Sequence, residues 1–275
     1  MTALRRLIAR VRERGVVWTA LWYARWGFAH ALRRVDLLAI GVEKRRLITG
    51  EGTVSSLHHT LEENRRIWNT YDWSEGGEEW TQAVKEYRGL DPAAWKQTLI
   101  DRMMKKYIRL GSTTLEIGPG AGRWTEHLLG IAGALHIADI SEKCLAVCRE
   151  RFHDRGQIRF HLIRDDGLSF LEPESIDCIW SYDVFVHITP NDVERYVGDF
   201  RRILRPGGVA VIHHSGRYRT AEEAEMSYRS HLDSTLFARM LARQGLEIIE
   251  QDVTLPHKPG DVITVFRRPA GKAAR

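Results

Sequence analysis

The 275-residue chain has few cysteines and no long apolar run. Its three cysteines, Cys144, Cys148 and Cys178, are too few for a disulfide framework, and no second ligand pair accompanies Cys144 and Cys148 to make a metal motif. We interpret all three as buried thiols in a reducing cytoplasm. No stretch reaches the ~18 apolar residues of a membrane-spanning helix. The first residues lack an apolar core followed by a small-residue cleavage site, so we expect no secretory signal.

Net positive charge is lacking outside the first fifth of the chain. Residues 1–50 carry eleven Lys or Arg against three acids, a net +8, whereas the remainder carries 30 basic and 33 acidic residues, a net −3. The overall charge of +5 therefore belongs to an N-terminal extension and not to the body. A nucleic-acid partner is accordingly not predicted, because a basic footprint on the body itself would be needed.

The extension, residues 1–48, is predicted to form basic amphipathic helices. Trp18, Trp22 and Trp26 recur at a spacing of four, which puts them on one helical face among arginines. Indole rings favour the membrane interface, and basic residues are attracted to anionic lipid, so one hypothesis is peripheral contact with the inner face of a membrane. The alternative is that these helices pack on the body or on a second subunit. The patterns carry no signal for an oligomeric state.

Residues 49–110 are polar, aromatic and helical in pattern, and residues 111–269 alternate apolar strands with helices. We predict that the aromatic residues between Trp68 and Trp80 form a lid over a cofactor. Strands are predicted at 113–117, 134–140, 158–163, 177–182, 209–213, 246–253 and 262–267. This alternation predicts an α/β fold with a doubly wound, mainly parallel seven-stranded sheet whose last two strands form a hairpin.

A glycine-rich turn, Gly118-Pro119-Gly120-Ala121-Gly122, follows the first strand and precedes a helix. Its G-x-G-x-G spacing differs from the dinucleotide fingerprint G-x-G-x-x-G, and Glu116 just before it suits an amine-bearing ligand better than a pyrophosphate. Asp139 ends the second strand, where an acid can accept hydrogen bonds from ribose hydroxyls. Asp166 follows the third strand and is placed to accept from an adenine amino group.

These motifs, with Arg205-Pro-Gly-Gly208 and Gly245-Leu246 further on, occur in the order and spacing of a known family. Residues 113–265 resemble the class I S-adenosylmethionine-dependent methyltransferases, which have a Rossmann-like fold. The resemblance implies S-adenosylmethionine as cofactor. The cofactor-binding residues expected on these grounds are Glu116, Gly118, Pro119, Gly120, Asp139, Ile140, Asp166, Gly167 and Tyr182.

Candidate catalytic residues lie after the fourth and fifth predicted strands. Asp183 and His187 flank the loop on the acceptor side, and His213 and His214 end strand five. Adjacent strand residues point to opposite faces, so one of the two is expected in the cleft, and we favour His214 because it lies further out. We predict His187 or His214 as general base and Asp183 as its orienting partner. A divalent metal held by these residues is an alternative, although no compact metal motif supports it.

The preferred function is O-methylation of a hydroxyl on a sugar or glycan precursor. It depends on the polar residues expected over the acceptor, such as Arg217 and Arg229, and on a loose resemblance of the extension to Arg/Trp-rich leaders of bacterial surface-polysaccharide enzymes. The alternatives are methylation of a polyketide or other secondary metabolite, an RNA methyltransferase, and a non-catalytic cofactor-binding module. A nicotinamide oxidoreductase is the alternative to the family itself.

Overall fold

The structure is a computed structural model that describes residues 60–164, 167–217 and 229–271. The predictions for the extension 1–48 and for Asp166 lie outside the described residues. Among the helices within them, none is both long and apolar enough to cross a lipid bilayer.

Helices precede the sheet in the described part of the chain. They are α1 (Leu61–Thr70), α2 (Glu79–Arg88) and α3 (Pro92–Leu99), the last continued by a π-helical turn and a short α-helical turn at Ile100–Met104 and Lys105–Tyr107. Thr60 begins α1 with a reciprocal capping box, and the Asp91 side chain accepts from the backbone N–H of Ala94 at the start of α3. These capping side chains therefore determine where α1 and α3 begin.

Seven strands form one sheet, which confirms the predicted fold class. They are β1 (Thr113–Ile117), β2 (Ala134–Asp139), β3 (Ile158–Leu162), β4 (Ile176–Phe185), β5 (Leu204–Ser215), β6 (Glu247–Asp252) and β7 (Asp261–Arg267). The spatial order is β3-β2-β1-β4-β5-β7-β6. β7 runs antiparallel to both of its neighbours, β5 and β6, and the other neighbouring strands pair in parallel. The order reverses between β1 and β4, which opens a crevice at the carboxyl ends of these strands.

The remaining helices cover both faces of the sheet. They are α4 (Thr125–Leu129), α5 (Glu142–Arg151), α6 (Pro190–Ile203) and α7 (Ser234–Arg243). Two buried apolar clusters lie on opposite faces, one around Phe200 and Phe266 and the other around Trp180 and Met103. Burying these faces provides the main driving force for the fold.

Two strands are longer than predicted. β4 continues to Phe185, and β5 begins at Leu204, directly after α6, so the Pro-Gly-Gly motif lies inside the strand. The register shifts between Ile176 and Cys178, and Gly207 adopts a φ of 80°, so the motif forms an irregularity in the ladder and not a loop. The extension of β4 brings Asp183 to the rim of the crevice.

Candidate active site

A cavity of about 1150 Å³, including the open mouth, lies at the carboxyl ends of the parallel strands. Most of the residues predicted for the site border it, namely Gly118, Pro119, Gly120, Asp139, Ile140, Gly167, Tyr182, Asp183 and His187. Other residues of its wall were not predicted, namely Leu61, Asn64, Arg123, Trp124, Arg164, Ile188, Arg195 and Tyr196. One cavity therefore holds the groups expected to bind the cofactor and those expected to act on the acceptor.

The glycine turn after β1 requires glycine for two reasons. Gly118 and Gly120 have φ values of 68° and 58°, in the left-handed region that side chains rarely adopt. A Cβ on Gly118 would lie 2.3 Å from Val184 Cγ2, and one on Gly120 would lie 2.7 Å from a ring carbon of Trp73. The backbone of the turn is thus closely covered by β4 on one side and by the lid region on the other.

Asp139 ends β2 beside this turn. Its carboxylate accepts from the backbone N–H of Ser141 at 2.8 Å, and the side chain is buried in the cavity wall. Burial raises the pKa of Asp139 to about 7, although backbone N–H groups at Ser141, Gly120 and Ile140 act in the opposite direction. Asp139 thus lies in the cavity wall, and its predicted acceptance of hydrogen bonds from ligand hydroxyls stays a prediction.

Glu116 takes a different place from the one predicted. Its side chain is buried and is absent from the cavity wall, and Oε2 accepts from the Thr125 hydroxyl at 2.6 Å. Burial raises the pKa of Glu116 to about 8, and Oε1 has no hydrogen-bond partner among the described residues. Glu116 is therefore not seen to line the cavity, and the direct contact with a ligand amine expected for it stays a prediction. The carboxyl group supports the start of α4 and leaves one buried oxygen unsatisfied.

Arg123, within the glycine-rich motif, was missed as a site residue. Its side chain borders the cavity, is only 5% exposed, and makes a single long hydrogen bond of 3.4 Å to the Thr81 hydroxyl. Its guanidinium lies over the rings of Trp124 and Tyr182 at 5.0 and 5.9 Å, and no carboxylate of the described chain comes within 4.0 Å to pair with it. A buried guanidinium without a carboxylate is costly, so it suits an anionic group of a ligand.

The predicted lid residues border the same cavity. Trp68, Trp73 and Trp80 line it, and their ring centroids lie 5.6–6.2 Å apart. The Trp73 indole N–H donates to the Trp68 carbonyl oxygen at 3.1 Å, which holds the Trp73 ring over Gly120. The aromatic wall therefore covers the glycine turn, where we predicted the lid.

Asp183 has a strained backbone and a charged surrounding. Its φ of 64° is unusual for a residue other than glycine, and its backbone N–H donates to His213 Nδ1 at 3.0 Å. Arg229 Nη2 donates to Asp183 Oδ1 at 3.1 Å, and His257 Nε2 lies 3.7 Å from Oδ2. Burial acts to raise the pKa of Asp183, but His257, Arg229 and His213 outweigh it and hold the pKa well below its usual range. Asp183 is therefore a carboxylate in the cavity wall.

His187 lies where the sequence predicts. It borders the cavity, is 8% exposed, and packs edge-on against Trp68 with centroids 5.4 Å apart. Its backbone N–H donates to the Val184 carbonyl, and its own carbonyl accepts from Asn64 Nδ2 at 3.1 Å. The Asn64 side chain of α1 thus helps to fix the backbone position of His187.

His214 does not reach the cavity, contrary to our preference for it. Its ring nitrogens bond the Ser215 carbonyl and the Thr264 hydroxyl at 2.8 and 2.7 Å, and it packs against Phe237. Because β5 extends to Ser215, both histidines belong to the strand, and the alternation puts His213 toward Tyr182, at a centroid distance of 4.2 Å. The alternation of side chains could have assigned His213 and His214 to their faces of the sheet only if the end of the strand had been known.

Asp183, His213 and His257 bring metal-ligand atoms within 4.8 Å of one another. Two features make this cluster a poor metal site. His213 Nδ1 accepts from a backbone N–H, so the neutral ring carries its proton on Nε2 and has no second lone pair to offer. The Arg229 guanidinium already lies 3.1 Å from Asp183 and 3.4 Å from His257 Nε2, where it would repel a second cation.

Comparisons with known proteins agree with the fold and the motifs. The family described as "Methyltransferase domain" matches residues 114–208. The chain is 34% identical over 73 residues to ribosomal RNA small subunit methyltransferase A of Pseudomonas putida, covering 26% of this chain and 27% of that protein. It is 29% identical over 120 residues to N-terminal Xaa-Pro-Lys N-methyltransferase 1 of Bos taurus, covering 40% and 53%. The chain thus spans about half or less of these relatives.

Among solved structures, the chain is similar to geranyl diphosphate C-methyltransferase from Streptomyces coelicolor, with a TM-score of 0.57 at 14% identity. That structure is a complex with Mg²⁺, geranyl diphosphate and S-adenosyl-L-homocysteine. The comparison covers 76% of this chain and 97% of that one and supports the fold. The family's cofactor also fits the cavity, since Asp139 offers a hydroxyl acceptor, Arg123 a buried cation, and Gly118 and Gly120 two turn positions without side chains. Residues 114–208 match a methyltransferase domain, and the sheet has the fold of the class I S-adenosylmethionine-dependent methyltransferases.

Proposed function

We propose that the chain transfers the methyl group of S-adenosylmethionine to a hydroxyl of a small polar acceptor, with a sugar or glycan precursor as the preferred class. The observation that carries the proposal is a single cavity bordered by Asp139 and Arg123 at one part and by Asp183 and His187 at another. Methyl transfer requires a cofactor and an acceptor to lie in line and away from water, which such an enclosed cavity supports.

The cofactor end uses groups of the first two strands and the glycine turn. In our proposal Asp139 accepts from the ribose hydroxyls, and Arg123 donates to the carboxylate of the methionine part. The bound cofactor supplies an activated methyl group. Trp73 covers the glycine turn and excludes water from this part of the cavity.

The acceptor end contains the base. We assign His187 as the group that takes the proton from the acceptor oxygen on a ring nitrogen as the oxygen–methyl bond forms, and that later releases it to solvent. Asp183 is a weak base because its pKa lies well below the usual range, so we assign it to orienting the acceptor hydroxyl through a hydrogen bond. His214 has no part in the proposal because both its ring nitrogens are bonded elsewhere.

A second candidate acceptor is an apolar or aromatic secondary metabolite. The feature that favours it is the wall formed by Leu61, Trp68, Trp80 and Ile188, which offers flat and apolar surface close to His187. Aromatic side chains stack on sugar rings as well as on phenols, so the wall is compatible with both classes. The acceptor assay must therefore include both.

The experiment is a methyl-transfer assay with methyl-labelled S-adenosylmethionine and the full-length protein. The acceptor panel pairs free and nucleotide-activated sugars with phenolic and polyketide alcohols. With the best acceptor, His187→Ala should lower kcat by about a hundredfold while cofactor affinity stays unchanged. The control is His153→Ala, an exposed histidine after α5. A His187→Ala protein with normal kcat would rule out His187 as base, and transfer only to phenolic or polyketide alcohols would replace the sugar hypothesis.

A further inference from the structure

Helix α1 borders the cavity with one face and is hydrogen-bonded to both ends of the site. Leu61, Asn64 and Trp68 recur at spacings of three and four, so they share one face of the helix. All three side chains border the cavity. The lid therefore includes a helix whose position is set by specific contacts with the sheet and its loops.

The C-terminal part of α1 is fixed to the cofactor end. Asn69 Oδ1 accepts from the Ser141 hydroxyl at 2.8 Å, and the backbone N–H of Ser141 donates to the Asp139 carboxylate at 2.8 Å. Just beyond the helix, Lys143 Nζ donates to the Tyr71 carbonyl oxygen at 2.6 Å. A single residue, Ser141, thus links Asn69 to the carboxylate that we assign to the ribose hydroxyls.

The middle of α1 is fixed to the acceptor end through the proposed base. Asn64 Nδ2 donates to the His187 carbonyl oxygen at 3.1 Å, and the Trp68 ring packs edge-on against the His187 ring at a centroid distance of 5.4 Å. The same loop is held from another part of the chain, since the backbone N–H of Ser230 donates to the Val186 carbonyl oxygen. Helix α1 therefore contacts both the backbone and the side chain of His187.

Asn64 is an unusual residue for its position. It is the one buried residue of α1, at 6% exposure, and it is polar. Burying an amide costs free energy unless the amide is hydrogen-bonded, so an apolar residue would serve better if only packing were needed. The bond from Asn64 to the loop that carries His187 offsets this cost and joins residues 123 positions apart in the chain.

We propose that α1 is a strap between the two ends of the site and that Asn64 is the positioning residue through which it holds His187. The inference rests on the proposed function, in which His187 takes the proton of the acceptor hydroxyl. Proton transfer requires hydrogen-bond distance, and displacing a reacting group by about 1 Å can cost about a hundredfold in rate. The Asn64 end of the strap therefore contributes to kcat, and the Asn69 end contributes to cofactor affinity.

The test compares two asparagine variants of the same helix, Asn64→Leu and Asn69→Leu. Leucine has as many side-chain heavy atoms as asparagine but neither donates nor accepts a hydrogen bond. Asn64→Leu should lower kcat with the best acceptor by about tenfold or more and leave the dissociation constant of S-adenosylhomocysteine within about twofold. Asn69→Leu should weaken the binding of S-adenosylhomocysteine by about threefold to tenfold, the effect of losing one hydrogen bond.

A second readout needs no acceptor. In protein with isotope-labelled histidine, the NMR signal of the His187 imidazole is identified by its loss in His187→Ala. Asn64→Leu should shift or broaden this signal, whereas Asn69→Leu should leave it in place. The control Arg66→Leu, at an exposed position of the same helix, should change neither the signal nor the two constants. Asn64→Gln keeps an amide donor and should retain more of kcat than Asn64→Leu does.

The outcomes separate the inference from the proposed function. If Asn64→Leu leaves kcat and the His187 signal unchanged, or if Asn64→Gln is the more damaging variant, Asn64 does not position the base and the inference is wrong. If Asn64→Leu and Asn69→Leu lower kcat and cofactor affinity alike, α1 contributes only to folding, and the inference is again wrong. If the wild-type protein does not bind S-adenosylhomocysteine, the proposed function fails, while the His187 signal still shows whether Asn64 positions the ring.

Discussion

The side chain of Asp139 should make cofactor affinity depend on pH. Burial raises its pKa to about 7 in the ligand-free chain, whereas ribose hydroxyls that donate to the carboxylate favour its ionised form. Binding should therefore lower this pKa and release a proton. The contribution of Asp139 to affinity is fully present above about pH 7 and is lost as the pH falls below that value.

The expected size follows from the fraction ionised. About nine tenths of a group with a pKa near 7 is ionised at pH 8 and about one tenth at pH 6, so affinity should drop about tenfold between them. Asp139→Asn removes the titration. At pH 8 it should also weaken binding by about 1–3 kcal/mol, the cost of leaving buried polar groups poorly paired.

Calorimetry with S-adenosylhomocysteine from pH 6 to 8 tests this, with Asp139→Asn and Glu116→Gln measured in parallel. Any titration of the ligand itself is common to the two proteins, so the informative quantity is the ratio of wild-type to Asp139→Asn affinity at each pH. Glu116→Gln removes the other carboxyl group with a raised pKa. A ratio that is flat across this range, or that falls as the pH rises, would refute the assigned role of Asp139.

Two further predictions concern Arg123 and the extension. Arg123→Met should weaken the binding of S-adenosylhomocysteine by about 1.5–3 kcal/mol, because a charge-assisted hydrogen bond is lost. The binding of 5′-methylthioadenosine, which lacks the amino-acid part, should not change. Equal losses for both ligands would contradict a carboxylate contact. The full-length protein should float with anionic vesicles at low salt and be released at high salt. A chain beginning at Gly50 should stay unbound. If both proteins stay unbound, residues 1–48 have no membrane role.

Local patterns were sufficient for the sheet and for the positions of the glycine turn and Asp139 in the cavity wall. The glycine turn and Asp139 lie at the ends of strands that apolar runs in the sequence predict. Their conformation and hydrogen bonds depend on residues close to them in the chain. The end of α6 was harder, because Pro206 and Gly207 normally stop a helix and begin a loop. Here they form an irregularity inside β5, which only the pairing with β4 determines.

The acceptor end depends on contacts between distant parts of the chain, which the sequence patterns do not encode. His257 and Asp261 come from the final hairpin. His257 meets Asp183, and Asp261 meets Arg229, only when β5 and β7 pair. Arg123 was visible within the motif, but its burial without a carboxylate is a tertiary property. Glu116 was expected to contact a ligand amine, and only the folded chain shows that its carboxyl group accepts from Thr125.

The central claim is that this cavity binds S-adenosylmethionine for methyl transfer. The most direct test is calorimetry on the purified full-length protein with S-adenosylmethionine, S-adenosylhomocysteine and NADH. The account predicts saturable binding of the first two at one site, weakened by Asp139→Asn, and no competition from NADH. Tight binding of NADH without binding of S-adenosylmethionine would contradict it.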